Sequence, residues 1–298
     1  YPVWVRSGVT ILFAGSQVAC ILAGVSVVAF VGLVVIQSAL QVVGTFLMYR
    51  LVRETEDRPA WTFRWTIAQR MMRDAWPLIF AGLSVSVYMK IDQVMLGEMV
   101  GESAVGIYAT AVKISELWYF IPAAIAGSVF PKIVSTKENA SQAVYNERMQ
   151  TLYNFVVLIS YLIIIPVVLS ATPLIEFLFG AEYAPSAPIL QVHMWAFLFV
   201  SLGVARGKWL VAENLTRLAM MTTVLGAVAN VGLNVLLIPG YSGIGAAWAT
   251  LISQGVAAYF TCLMIPSLRK TFLQMSKAIL LPFRPWKMRE GLQRVISN

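Results

Sequence analysis

The chain has 298 residues, 59% hydrophobic and only 12% charged, with a formal net charge of +8 and a mean hydropathy of +0.75. Such a composition excludes a soluble domain, and it makes the positive balance a collar against anionic lipid rather than a nucleic-acid surface. With no P-loop, Gly-x-Ser-x-Gly elbow, dinucleotide fingerprint or acidic pair suited to glycosyl transfer, an ATP-driven pump or soluble-type enzyme is disfavoured.

The expected fold is all-α and polytopic. Eight apolar stretches of about 20 residues are each long enough to cross a ~30 Å hydrocarbon core. They fall near Val9–Val27, Ala29–Tyr49, Trp76–Leu96, Ala104–Phe130, Thr151–Leu169, Ile189–Val211, Leu218–Ile238 and Ile244–Ile265. The chain opens on Tyr1 and runs straight into a span, so an N-terminal part is expected to be missing. No charge lies between Arg6 and Arg50, so a tight turn near Ser26–Ala29 makes the first two spans a helical hairpin.

The connection Arg50–Ala75 opens with a charged run, Arg53 to Pro59. Trp61, Trp65, Ala68, Met72 and Trp76 then recur every three or four residues, with Arg64, Arg70 and Arg73 elsewhere around the helix. This pattern predicts an amphipathic helix on the membrane surface, acting as a hinge. In the fifth span Pro166, with Pro173 and Glu176 beyond it, predicts a kink that is either static or a gate. The sixth span holds the lone His193, read as a packed residue, and ends at Arg206 and Lys208. These two are expected to snorkel to the inner surface or to guard an entrance for a phosphate-bearing lipid. Gly226, Asn230 and Asn234 form a polar stripe at i,i+4 spacing in the seventh span, expected to hydrogen-bond between helices. Cys20 and Cys262 sit in apolar spans as packing residues. The basic tail after Ile265 carries Ala278–Phe283, too short to cross, and is expected to lie on the surface or fray.

Alternating the connections between two sides sends 20 of the 22 Lys and Arg to one side. The opposite loops carry Glu98, Glu102 and Glu182. By the positive-inside rule the basic side is cytoplasmic, and with it both ends of the chain.

Lys90 and Lys113, the remaining two basic residues, fall inside spans together with Asp92 and Glu116. Charges at such depth are costly and mark functional sites. Counted from the outer ends, Lys90 and Asp92 lie roughly 6–10 Å deep, and Lys113 and Glu116 roughly 13–18 Å deep. One reading is a set of ion pairs holding two helices together, with Lys113 and Glu116 matched at i,i+3. The sharper reading is a hydrated cavity wall where the lysines meet an anionic substrate and a carboxylate takes a coupling proton. Tyr88, Tyr108, Trp118, Tyr119 and Phe120 surround them. Aromatic rings suit sugar faces, although Trp and Tyr also belt membrane interfaces.

The runs Trp76-Pro77-Leu78 and Tyr88-Met89-Lys90-Ile91-Asp92-Gln93-Val94-Met95-Leu96-Gly97 resemble the oligosaccharide repeat-unit (O-antigen) flippases of bacterial surface polysaccharide synthesis. So do Ala104 to Tyr108 and Lys113-Ile114-Ser115-Glu116-Leu117-Trp118-Tyr119-Phe120-Ile121-Pro122. Further matches are Phe179 to Tyr183, Asn230 and Asn234 leading to Ile238-Pro239, and Gly243 to Thr250. The last is shared across the multidrug/oligosaccharidyl-lipid/polysaccharide exporter superfamily, and the resemblance spans about Arg50 to Ile265.

The resemblance implies twelve spans in two six-helix lobes around a cavity. Residues 1–50 are then the last two spans of a first lobe, 51–75 a linker, 76–265 a complete second lobe and 266–298 a basic tail, with four N-terminal spans lacking. The end of the chain after one final span sets the fourteen-span peptidoglycan-precursor flippases aside. The expected function is flipping of undecaprenyl-diphosphate-linked oligosaccharide across the bacterial inner membrane by alternating access. Lys90, Lys113, Tyr88 and Trp118 are expected to meet substrate, and Asp92 and Glu116 to sense the coupling ion. Neither cofactor nor metal is implied. Expected partners are the lipid-linked oligosaccharide, membrane lipids and a polysaccharide polymerase with its chain-length regulator, and not nucleic acid. A cation-coupled multidrug antiporter and a polysaccharide polymerase or ligase are the alternatives. The latter usually need a large outer loop, and every outer loop here is only a few residues long.

Overall fold

The computed structural model describes residues 2–55 and 63–283, which contain helices and no strand. It divides into two compact units, Tyr1–Ala68 and Gln69–Asn298. Six helical segments among the described residues are long and apolar enough to cross a membrane. They are Val28–Leu51, Ala75–Met99, Glu102–Lys137, Gln142–Leu169, Ser186–Ala212 and Thr216–Met264. The protein is thus an all-α polytopic membrane protein.

In the first unit, α1 (Pro2–Leu22) and α2 (Val27–Thr55) form the expected hairpin. The turn uses Gly24 at φ 62°, a left-handed conformation that favours glycine. Two side-chain hydrogen bonds cross the seam: Gln17 Nε2 donates to Gln37 Oε1 at 2.8 Å, and Gln41 Nε2 donates to Thr10 Oγ1 at 3.2 Å. Buried in hydrocarbon, amides find partners across the helix pair, which fixes its register.

The second unit begins within α3 (Trp65–Met99), a single 35-residue helix that runs on through Pro77. Residues 65–75, read from the sequence as a separate surface helix, are the first turns of this longer one, and Trp61 lies outside the described residues. Gly101, at φ 118°, turns the chain into α4 (Glu102–Glu116). A 3-10 turn at Leu117–Tyr119 leads into α5 (Phe120–Asn139), so this span continues two turns beyond the predicted end at Phe130. Ser141 caps α6 (Gln142–Leu169), and the helix ends three residues after Pro166. Pro173 falls in the first turn of the separate α7 (Ala171–Phe179), where a missing N–H costs nothing. The sixth predicted span is interrupted: α8 (Ser186–His193) gives way at Met194 and Trp195 to α9 (Ala196–Ala212).

The last crossing segment, α10 (Thr216–Gly255), is broken at Ser242, whose φ of 50° and ψ of −132° are not helical. A straight helix would separate Asn234 from Thr250 by ~24 Å at 1.5 Å per residue. Both instead contact one carboxylate, Asp92, so the chain reverses between them. Gly226 facing Ala257 and Gly245 facing the Leu237 carbonyl continue the same antiparallel register. A π-turn at Val256–Phe260 and the short α11 (Thr261–Met264) complete this strand of the hairpin.

Helices of the second unit alternate between two ends. At one end Ser186 Oγ donates to the Ile107 carbonyl at 2.7 Å, and Gly243 sits against Ile189 and Tyr108. At the other, Lys137 Nζ lies 3.0 Å from Glu213 Oε2 and 2.7 Å from the Ala212 carbonyl, which it caps. Tyr145 donates to the same glutamate at 2.8 Å. The tail is not frayed there. The helix α12 (Arg269–Ile279) packs along α6, with Gln150 donating to the Gln274 carbonyl and Gln274 to the Asn146 carbonyl, both at 3.0 Å. The connections carrying Lys132, Lys137, Arg148, Arg206, Lys208 and Arg217 therefore share one end, as the charge pattern requires.

Candidate functional site

Asp92 organises the polar interior of the second unit. It is 3% exposed, on the one face of α3 that turns inward with Leu96. Three donors converge on it. Tyr108 Oη of α4 donates at 2.8 Å, Asn234 Nδ2 of α10 at 2.5 Å, and the Thr250 hydroxyl, beyond the reversal, also donates. Asn230 Oδ1 accepts from Asn234 at 3.3 Å, which holds the amide in place. Full acceptance of donors is what makes a buried carboxylate tolerable. The polar stripe of the seventh span is thus interhelical, as expected, and its partner is the carboxylate of the third.

Beside Asp92 lies a small pocket, with room for about one water molecule, lined among others by Tyr108, Glu116, Tyr119, His193 and Gln254. Glu116 is half-buried at its wall. His193 is buried, with Nδ1 2.6 Å from Ser115 Oγ and its ring edge-on to Tyr108 at 6.1 Å between centroids. It is a packed histidine at the break between α8 and α9. Among the described residues, two carboxylates, Asp92 and Glu116, and no lysine or arginine line the pocket.

The lysines lie elsewhere. Lys90 and Lys113 are both exposed on the surface of the unit. No ion pair joins Lys113 to Glu116: Lys113 projects outward from α4 while Glu116 turns toward the cavity. The cation whose charge reaches Glu116 is Lys90, from α3. Asp92 has no lysine or arginine among its hydrogen-bond partners. Both lysines thus lie on the exposed side of the hairpin and the acids toward its interior, with Lys90 still near enough for its charge to act on Glu116. Trp118 is half-buried, and its Nε1 has no hydrogen-bond partner. The side chain of Tyr88, on α3, lies outside the described residues.

Arg206 corrects the snorkelling expectation. It is 4% exposed, donating to Thr222 Oγ1 at 3.0 Å and to Cys262 Sγ at 3.3 Å. Position 206 lies on the face of α9 that packs against α10 and α11, so the guanidinium has no path to the surface. Lys208, two residues on, does turn away and stacks over the Phe130 ring at 5.3 Å. Cys262 is therefore a polar contact as well as a packing residue. With only neutral partners, Arg206 leaves its desolvation cost uncompensated. Replacing Arg206 with methionine is expected to leave the fold as stable or raise stability by about 1–3 kcal/mol, read from thermal unfolding of the purified protein.

Interrupted spans, a reversing final hairpin and a buried polar centre joining three helices are features found in polytopic transporters. The family described as polysaccharide biosynthesis protein matches residues 6–188, more than half of the chain, and the chain belongs to it. It is 27% identical over 173 residues to a probable low-salt glycan biosynthesis flippase of Haloferax volcanii, covering 57% of this chain and 36% of that protein. A probable flippase of the same organism, AglR, is 30% identical over 198 residues, covering 63% and 40%. The capsular polysaccharide biosynthesis protein CapF of Staphylococcus aureus is 23% identical over 181 residues, covering 61% and 46%. The chain thus spans less than half the length of these relatives.

Among solved structures, the fold is similar to the lipid II flippase MurJ in its inward closed conformation. The TM-score is 0.55 at 16% identity, over 85% of this chain and 55% of that one. An outward-facing multidrug resistance MATE family transporter of the MOP superfamily gives a TM-score of 0.50 at 18% identity, over 70% and 50%. The fold is thus similar to those of both of these transporters. The likeness to a lipid II flippase was not expected from the sequence, where the single final span argues against the fourteen-span peptidoglycan-precursor flippases.

Proposed function

We propose that this chain is part of a flippase that moves oligosaccharide repeat units linked to undecaprenyl diphosphate across the bacterial inner membrane, for O-antigen, capsule or exopolysaccharide synthesis. Its basic end and both of its termini face the cytoplasm. The observation that carries the reading is the separation of charge on one hairpin. Lys90 and Lys113 present ammonium groups on the outside of the unit, where a diphosphate passing between two lobes meets them. Asp92 and Glu116 stay inside, where an ion or proton changes the hydrogen bonds that join α3 to α10. Ion binding at the carboxylates then biases alternating access, while Trp118 offers a ring face to the sugar and Tyr88 is assigned to the same substrate. The polyprenyl tail stays in lipid throughout, and the unit works as a transporter and not as an enzyme. A polymerase and a chain-length regulator act on the exported repeat unit.

The acid-lined cavity and the likeness to a multidrug transporter fold favour one second reading, a cation-coupled drug antiporter. Complementation decides between them. The whole gene that contains this chain is expressed in a flippase-null host making the matching repeat unit, and surface polysaccharide is assayed. Restoration is expected, with at least a tenfold loss in a Lys90→Ala/Lys113→Ala variant that inserts normally. Undiminished export by that variant removes the lysines from substrate contact. Failure of the wild type despite insertion, combined with drug efflux, establishes the antiporter.

A further inference from the structure

The outer face of α12 presents a regular stripe. Thr271, Met275 and Ala278 are buried, while Lys270, Leu273, Lys277 and Leu280 are exposed, following one another at three- and four-residue spacing. That spacing keeps the four on one side of the helix, with cations and apolar chains alternating along it. Leu273 is 57% exposed and Leu280 46% exposed.

The helix is held in this orientation from its other side. Tyr259 Oη and Ser276 Oγ lie 2.8 Å apart, the Tyr259 and Phe272 rings meet at 4.7 Å, and Gln274 bonds to α6. Arg269 is exposed beside the stripe and anchors the first turn through Nε to the Leu263 carbonyl at 3.3 Å. No Asp or Glu occurs between Leu263 and Arg289. A face with lysine ammonium groups and leucine side chains at alternate steps, and no acid of its own along the helix, fits the boundary between anionic headgroups and acyl chains. There the leucines enter hydrocarbon and the lysines reach up to phosphate.

We propose that α12 is a binding surface for anionic phospholipid in the leaflet at the basic end of the second unit, and that lipid bound there clamps α12 onto α6. The partner is the phosphodiester headgroup with its acyl chains. A neutral headgroup leaves Lys270 and Lys277 unmatched, and a soluble phosphate leaves Leu273 and Leu280 in water.

The test uses the full-length protein in nanodiscs of phosphatidylcholine alone or with 30% phosphatidylglycerol. Thermal unfolding is followed, together with lipid retained after mild detergent extraction. Anionic lipid is expected to raise the midpoint of the wild type. A Lys270→Gln/Lys277→Gln variant is expected to unfold like wild type in phosphatidylcholine, to lose the rise, and to bind phosphatidylglycerol about thirtyfold more weakly, at about fivefold per lysine. Lys270→Arg/Lys277→Arg retains both. Raising the salt to about 0.5 M, which shortens screening to a few ångströms, diminishes the effect in wild type alone. An equal rise in the wild type and the glutamine variant overturns the proposal. So does an equal effect of soluble glycerol phosphate, which marks a phosphate site with no role for the acyl chains. Crosslinking of a Leu273→Cys variant to another protein segment rather than to lipid also overturns it, since the stripe is then a protein interface.

Discussion

Asp92→Ala is expected to abolish glycan export by the full-length protein and to destabilise the second unit by roughly 2–4 kcal/mol. The loss arises because Tyr108, Asn234 and Thr250 all donate to this carboxylate. Their partial rescue is visible in the structure: Tyr108 Oη and Thr250 Oγ1 lie 3.4 Å apart, and Asn234 already reaches Asn230. Asp92→Asn keeps the volume and one acceptor, so about 1–2 kcal/mol is expected to be lost while export still fails. Thermal unfolding and surface polysaccharide, measured on the same two variants, separate the effects. An asparagine variant that exports like wild type makes Asp92 a scaffold and takes ion coupling away from it.

Gly245→Ala is expected to be the most damaging single-methyl change in the second unit. A Cβ at this position runs into the carbonyl group of Leu237, backbone on backbone, so no side-chain rotation relieves it. The final hairpin would have to splay where it carries Asn234 and Thr250 toward Asp92. A loss of about 3 kcal/mol or more is expected, above the usual range for an added methylene in a core that can adjust. Export is expected to fall with it. Gly232→Ala, on the same helix with open space around it, serves as the control and is expected to be nearly neutral. Equal unfolding midpoints for the two variants would show that the close approach at Gly245 is not tight.

How much of this was legible in the sequence depends on the range of the interaction. Hydropathy is a local property, and it marked the apolar stretches. Their limits differ, since α1 begins at Pro2 rather than Val9, α5 runs on to Asn139 and α6 begins at Gln142 rather than Thr151. Six segments rather than eight qualify as spans among the described residues. Charge asymmetry is a property of whole connections, and the ends at which Lys137, Glu213 and Gln274 meet agree with it. Helix breaks were unevenly visible. The reversal at Ser242 was legible, since Pro239, Gly240 and Gly243 flank it and the apolar stretches were divided between Ile238 and Ile244, but the turn at Met194 and Trp195 carries neither proline nor glycine. The polar centre was half legible. A lone aspartate in a span marked the position, and Asn230 and Asn234 marked a stripe. That they belong together follows only from packing across the unit, and Thr250 gave no signal because threonine is ordinary in a membrane helix. Arg206 was misread for the same reason: its distance from the helix end suggested snorkelling, and only the packing of α9 against α10 shows which way it points.

The hydrogen bonds to Asp92 also set an order of assembly. Asn234 lies 142 residues after Asp92 in the chain, and Thr250 lies 158 residues after it. At roughly 5–20 residues per second, synthesis reaches those partners on the order of ten seconds after α3 has emerged. During that interval the span Ala75–Met99, among the least apolar of the six, holds an aspartate with two of its three donors not yet made. Tyr108 arrives first, from the next helix, and is the early escort of the carboxylate. Substitutions at Asn234 or Thr250 are expected to show first as lower steady-state abundance of the chain, read by pulse-chase, before any effect on transport.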